Sequence, residues 1–174
     1  MKTWAALVTL TAAELNTYLR DNMEYVKGRL DGLELSGVTV SRGSAQSIPN
    51  STETVVSWTA IRVEVNDWWT SGTNVVVPVG TVPGSATAVG CLVFGTVTFT
   101  ANATGSRRIG IYKNGTVVRE KTLSALTGEA TEVEVIFFET MDDGDIFTVQ
   151  AWQSSGGALN ATAIFSAIRL GPVD

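Results

Sequence analysis

Two short stretches concentrate the side chains that could do chemistry. Residues 139–145, ETMDDGD, place the carboxylates of Glu139, Asp142, Asp143 and Asp145 within one short run. Oxygen-rich loops of this kind hold calcium, and Asp142, Asp143 and Asp145 are the candidate ligands. The run lacks the alternating ligand pattern and the distal Glu of an EF-hand. Asp-Asp-Gly-Asp is also ordinary turn chemistry ahead of a strand. Glu139 and Asp145 are the carboxylate pair that could serve a glycosidase. Residues 67–72, DWWTSG, set two adjacent indoles beside turn formers. Exposed indole faces stack on sugar rings and anchor interfaces, so Trp68 and Trp69 are the candidate glycan contacts. The alternative is that one plugs a core while the other packs at a subunit boundary.

Elsewhere the chemistry is sparse. Histidine is absent, which removes the commonest general base and the commonest transition-metal ligand together. The single cysteine, Cys91, lies inside the apolar stretch AVGCLVFG and reads as a buried small residue. No serine sits in a G-x-S-x-G elbow. Arg107 and Arg108 are neighbours on a strand, so they point to opposite faces; solvated surface is the default for both, with a carboxylate across a subunit contact as the alternative. Trp58 and Trp152 read as core or interface. No enzyme and no cofactor is expected. The net charge of −5 disfavours nucleic acid as a partner. No apolar run approaches the ~20 residues that would span a bilayer, so membrane insertion is not expected. Residues 1–10 do not read as a signal peptide. The four Asn-X-Ser/Thr sequons, at Asn50, Asn102, Asn114 and Asn160, read as chance in so Thr- and Ser-rich a chain.

These residues need a frame, and two-residue alternation supplies it. Ile109 and Ile111 alternate with Arg108, Gly110 and Tyr112; Val133, Val135 and Phe137 alternate with Glu132, Glu134 and Ile136. Strands are expected over 38–41, 45–49, 53–58, 60–66, 74–80, 88–101, 106–113, 116–125, 130–139, 145–153 and 160–170. Asn114-Gly115 between two such runs signals a tight hairpin. Pro49-Asn50, Pro83-Gly84, Asp143-Gly144 and Gly156-Gly157 mark further connections. The body, residues 36–174, is therefore expected to be a mainly β sandwich or barrel.

Residues 11–35 differ. Thr11-Ala-Ala-Glu14 is a capping box, and Leu10 with Leu15 can staple it. Leu19, Met23, Val26, Leu30 and Leu33 then follow at steps of 4, 3, 4 and 3, a heptad seam with Asn16 at a core position. Gly28 and Gly32 weaken the helix, and Gly32 lies near its end. Two heptads do not hold together alone in water, so an oligomerising or anchoring helix would need an oligomerising head. The alternative is an amphipathic helix packed on its own β-domain. Residues 1–10 carry Trp4, Leu7 and Val8, an apolar arm that reads as a docking segment or as a self-packed one.

Four stretches carry a resemblance: SIPNSTETVVSW (47–58), GSRRIGIYKNG (105–115), DDGDIFTVQAWQSSGG (142–157) and TAIFSAIRLGP (162–172). Their order resembles the jelly roll of the complement globular head and tumour necrosis factor superfamily. The matching residues are Arg107, Arg108, Ile109, Asn114, Gly115, Gly144, Asp145, Gln153 and Phe165. The final motif departs, with FSAIRL in place of Phe-Ser-Gly. The resemblance implies an antiparallel jelly-roll sandwich preceded by one N-terminal helix, and a homotrimer associated through apolar sheet faces. A second resemblance covers residues 4–30. Trp4 followed by LTAAELNTYLRDN (10–22) is similar to the opening of many bacteriophage virion proteins. It implies a non-enzymatic structural protein located in the virion. Trp4, Leu7 and Val8 would dock on other capsid or tail proteins, and the head would bind host surface polysaccharide or only decorate the particle. A secreted complement-type binding module is the rival from another class.

Overall fold

The computed structural model describes residues 11–31, 36–82 and 88–172. The chain divides into two units, residues 1–34 and residues 35–174.

In the first unit, α1 spans Ala12–Asp31. The capping box forms as written in the sequence. The Thr11 amide donates to Glu14 Oε2 at 2.8 Å, and the Glu14 amide donates to Thr11 Oγ1 at 3.2 Å. These bonds satisfy amides that the first turn leaves without partners. They also hold the Glu14 carboxyl below its ordinary value. The seam side chains Leu19, Met23 and Val26 are all exposed. The seam expectations for the Leu30 side chain and for Leu33, and the docking expectation for Trp4, Leu7 and Val8, lie outside the described residues.

The second unit is an antiparallel jelly-roll sandwich. Its strands are β1 (Gly37–Ile48), β2 (Thr54–Val55), β3 (Ala60–Val65), β4 (Val75–Val76), β5 (Val89–Phe99), β6 (Ser106–Lys113), β7 (Thr116–Ser124), β8 (Thr131–Met141), β9 (Ile146–Gln153) and β10 (Leu159–Pro172). One sheet runs β3-β1-β10-β5-β8; the other runs β2-β9-β6-β7, with β4 also pairing β9. Alternation along β5, β8, β9 and β10 sends Val93, Val97, Val133, Val149 and Phe165 inward, where they are buried. Phe165 lies between Trp58 and Phe147, with ring centroids 6.2 and 5.9 Å away. Gly95 on β5 leaves room for the tips of Ile109 and Ile111, which would have to shift for any larger residue. A Cβ there would sit 2.8 Å from Ile111 Cδ1 across the core.

The strand expectations hold in outline and differ in two places. Residues 38–41 and 45–49 are not separate strands; β1 is continuous, and an irregularity between Arg42 and Gln46 absorbs the expected break. Runs 53–58 and 74–80 shrink to two residues each. Between them the chain leaves the β9 edge, adds β3 to the opposite sheet, and returns. Asn66 and Asp67, with φ of 76° and 50°, turn it back. The β6–β7 hairpin has Asn114 and Gly115 at φ of 51° and 80°, the left-handed pair of a type I′ turn.

Candidate functional site

The acidic loop is a structural knot. Asp143 accepts from the amides of Gly80 and Val82 at 2.6 and 2.8 Å, so its carboxylate anchors a neighbouring loop. Asp145 is nearly buried; it accepts from Asn114 Nδ2 at 2.6 Å and from the Asp142 amide at 2.8 Å. Lys113 Nζ lies 2.8 Å from Thr140 O, 3.3 Å from Glu139 Oε1 and 3.8 Å from Asp145 Oδ2. Among the described residues no group of three or more acidic, His or Cys side chains converges to hold a metal. Of the calcium candidates Asp142, Asp143 and Asp145, two already hold backbone amides, as the turn reading of this run requires. Glu139 and Asp145, the carboxylate pair that could serve a glycosidase, both neighbour Lys113 Nζ.

Of the tryptophan pair, Trp68 takes the alternative reading, the plug of the core. Trp68 is 1% exposed, and its Nε1 donates to Ser36 Oγ at 3.0 Å. No sugar reaches its face. Trp69 packs partly against the core, its amide donates to Glu64 Oε1 at 2.8 Å, and its Nε1 points at Gly72 O. The excursion between β2 and β4 thus delivers a plug to the sandwich.

Arg107 was expected on a solvated surface and is fully buried. Its guanidinium donates to the carbonyls of Asn102, Thr104 and Ser106 at 2.8, 3.0 and 3.0 Å, and it lies 5.9 Å from the Phe99 ring centroid. Desolvation pushes its pKa down. Arg108 faces the other way, as alternation requires. It pairs with Glu53, approaches Glu120 at 3.8 Å, and lies 5.2 Å from the Trp152 ring. Tyr112 OH reaches Glu53 at 3.4 Å; burial and Glu53 push its pKa up. These groups give the outer face of the β2-β9-β6-β7 sheet a mixed aromatic and charged surface. Gln153 is buried and ties β1 to the 155–157 turn through Ile48 O and Gly157 O. Cys91 is buried, and burial first, then Glu139, raises its thiol to about 12.

The outer face of the five-stranded sheet is different, and side-chain chemistry did not single it out. Its register aligns Phe138 on β8 with Leu92, Ile168, Gly37 and Val65 in one cross-strand row. The next row aligns Ile136 with Phe94, Ser166, Thr39 and Val63. Phe138 is 76% exposed, Val63 63% and Ile136 58%; Ile168 and Val65 are also exposed. Contiguous apolar surface of this kind marks a contact site. Farther along the strands the face turns polar. A cleft of about 230 Å³ is lined there by Arg42 and Arg62 on one side, Glu132 on the other, and Thr96, Thr98 and Thr162 between them.

No protein-family model matches the sequence, and no curated protein matches it. Solved structures do. The chain is similar to murine APRIL (16% identity, TM-score 0.56, covering 79% of this chain and 100% of that one). It is similar to the globular domain of zebrafish complement 1qA protein (11% identity, TM-score 0.58, 79% and 99%). It is also similar to Eiger TNF from S. frugiperda (9% identity, TM-score 0.57, 80% and 95%). At these identities the likeness establishes the jelly-roll fold alone. Among the described residues no helix is long and apolar enough to cross a membrane.

Proposed function

We propose that the chain is a non-enzymatic homotrimeric binding or structural module, joined at its N-terminus to a virion. The observation that carries the self-association is the apolar outer face of the β3-β1-β10-β5-β8 sheet. A face with Phe138, Ile136 and Val63 all more than half exposed is poorly matched to permanent contact with water. The exposed helix seam Leu19, Met23 and Val26 supports the same reading, since two heptads gain stability once heads bring them together. The resemblance of Trp4 and residues 10–22 to virion-protein openings supports the placement on a phage capsid or tail. The mixed aromatic and charged outer face of the second sheet, with Trp152, Tyr112 and Arg108, supports host surface polysaccharide as the ligand of such a head.

Light scattering of the full chain tests the reading directly. Three chain masses are expected at micromolar concentration, and Ile136→Asp with Phe138→Asp is expected to give one. A single-chain mass for the unaltered protein overturns it. Particle density would then locate residues 1–31, and a glycan array with Trp152→Ala would separate an adhesin from a decoration protein. The likeness to the zebrafish complement globular domain favours a second reading, a complement-type binding module. Its mark is trimeric heads that bind a ligand yet are absent from any particle.

A further inference from the structure

The same sheet face carries charge of opposite sign on its opposite edges. Glu132 and Glu134 stand on the outward side of edge strand β8, exposed. Arg62 stands on the other edge strand, β3, and Arg42 on its neighbour β1, at the far side of the shared cleft. Within one chain these charges are not used against each other. Among the described residues, Glu132 accepts only from the Thr98 hydroxyl, at 2.9 Å. Arg42 donates to two neutral carbonyls, Ser44 O at 2.8 Å and Ser57 O at 3.2 Å. Arg62 and Glu134 have no ion-pair partner among the described residues. Along the cleft, the Thr96 hydroxyl is buried with no hydrogen-bond partner among the described residues.

We infer that a second copy of this chain occupies this face, with its Glu132 and Glu134 set against Arg42 and Arg62 of the first. This rests on the self-association proposed above and adds its register and polarity. The apolar rows supply adhesion; the charged end decides which edge meets which. An apolar face alone would tolerate sliding by a row, because its contacts are non-directional. Like charges brought together across a contact are strongly unfavourable, so the acidic edge rejects another acidic edge and accepts the basic one. Each copy has one edge of each kind. Three copies can therefore close head to tail with every charged end matched.

The test uses the full chain and charge reversal, read by sedimentation over a concentration series. Glu132→Arg with Glu134→Arg, and separately Arg42→Glu with Arg62→Glu, should each raise the concentration for half-assembly by at least about tenfold. The four-fold swap, carrying both pairs of changes in one chain, should return to within about threefold of the unaltered protein, since all matches are re-made with reversed sign. Mixing the two double variants gives a sharper outcome. One is basic at both edges and the other acidic at both, so they pair; a ring of three must still contain one like-charged contact. Mixed dimers are expected, and few trimers. The inference is overturned if the double variants assemble as the unaltered chain does. It is also overturned if the four-fold swap stays dissociated while its circular dichroism is native, or if the mixture closes into full trimers. An unaltered protein that stays monomeric would instead remove the self-association reading itself.

Discussion

Asn114 joins the β6–β7 hairpin to the acidic loop, and substituting it separates two contributions that the structure superimposes. Its side chain donates to Asp145 Oδ1 at 2.6 Å and accepts from the Ile146 amide at 2.9 Å. Its backbone sits at φ 51°. Asn114→Gly keeps the left-handed turn and deletes both bonds. Losing the bond to a carboxylate costs about 1.5 kcal/mol, and a half-exposed amide left without its acceptor costs about 1 kcal/mol. The glycine variant should therefore lose about 2.5 kcal/mol. Asn114→Ala loses the same bonds and also places a Cβ in the left-handed region. Net of the extra freedom that glycine has when unfolded, that adds about 1 kcal/mol. At about 3 °C per kcal/mol for a head of this size, the midpoints should fall by about 8 °C and about 11 °C. Thermal unfolding at one fixed protein concentration checks both, because assembly would otherwise move the midpoints. A glycine variant that melts with the unaltered protein would show that the side-chain bonds contribute nothing. Coincident melting of the alanine and glycine variants would refute the backbone argument.

Trp68→Ala should destabilise the head by about 3–5 kcal/mol in urea, as truncation of a buried aromatic does, without altering any glycan binding. Cys91 should stay silent to Ellman's reagent in the native protein at about pH 8, because its thiol is raised to about 12, and react once per chain after unfolding. Glu14 has its folded pKa depressed by Thr11, so its contribution to α1 is present above the unfolded carboxylate value and is lost as pH falls through the folded one. Far-ultraviolet circular dichroism of the chain should lose helix signal as pH falls below the ordinary glutamate range, and Glu14→Gln should flatten that response.

The sheet framework was legible because alternation, Asn114-Gly115 and the capping box are local signals that the tertiary structure did not override. Trp68 was legible only as one of two readings, glycan contact or core plug, and Arg107 was read as surface. Each is large and amphipathic, and each is buried by partners distant or irregular in sequence: Ser36 for the indole, the carbonyls of residues 102–106 for the guanidinium. Local composition does not decide between core and surface for such residues. The short strands β2 and β4 were overestimated because the β-forming runs around them are spent on loop and plug. The apolar outer face did leave a trace. Val135, Ile136, Phe137 and Phe138 break the alternation that Glu132 and Glu134 begin, and VGCLVFG on β5 is nearly continuous. A strand apolar on both sides expects cover on both sides.

The two-residue strands β2 and β4 have one more consequence. They occupy the outer flank of β9 as separate stubs, with the chain diverted between them. A long straight flank would offer an uninterrupted ladder of amides and carbonyls on which another polypeptide could template itself into fibrils. This interrupted one cannot. Heads crowded at high local density can therefore sit side by side without zippering into insoluble aggregates through that margin.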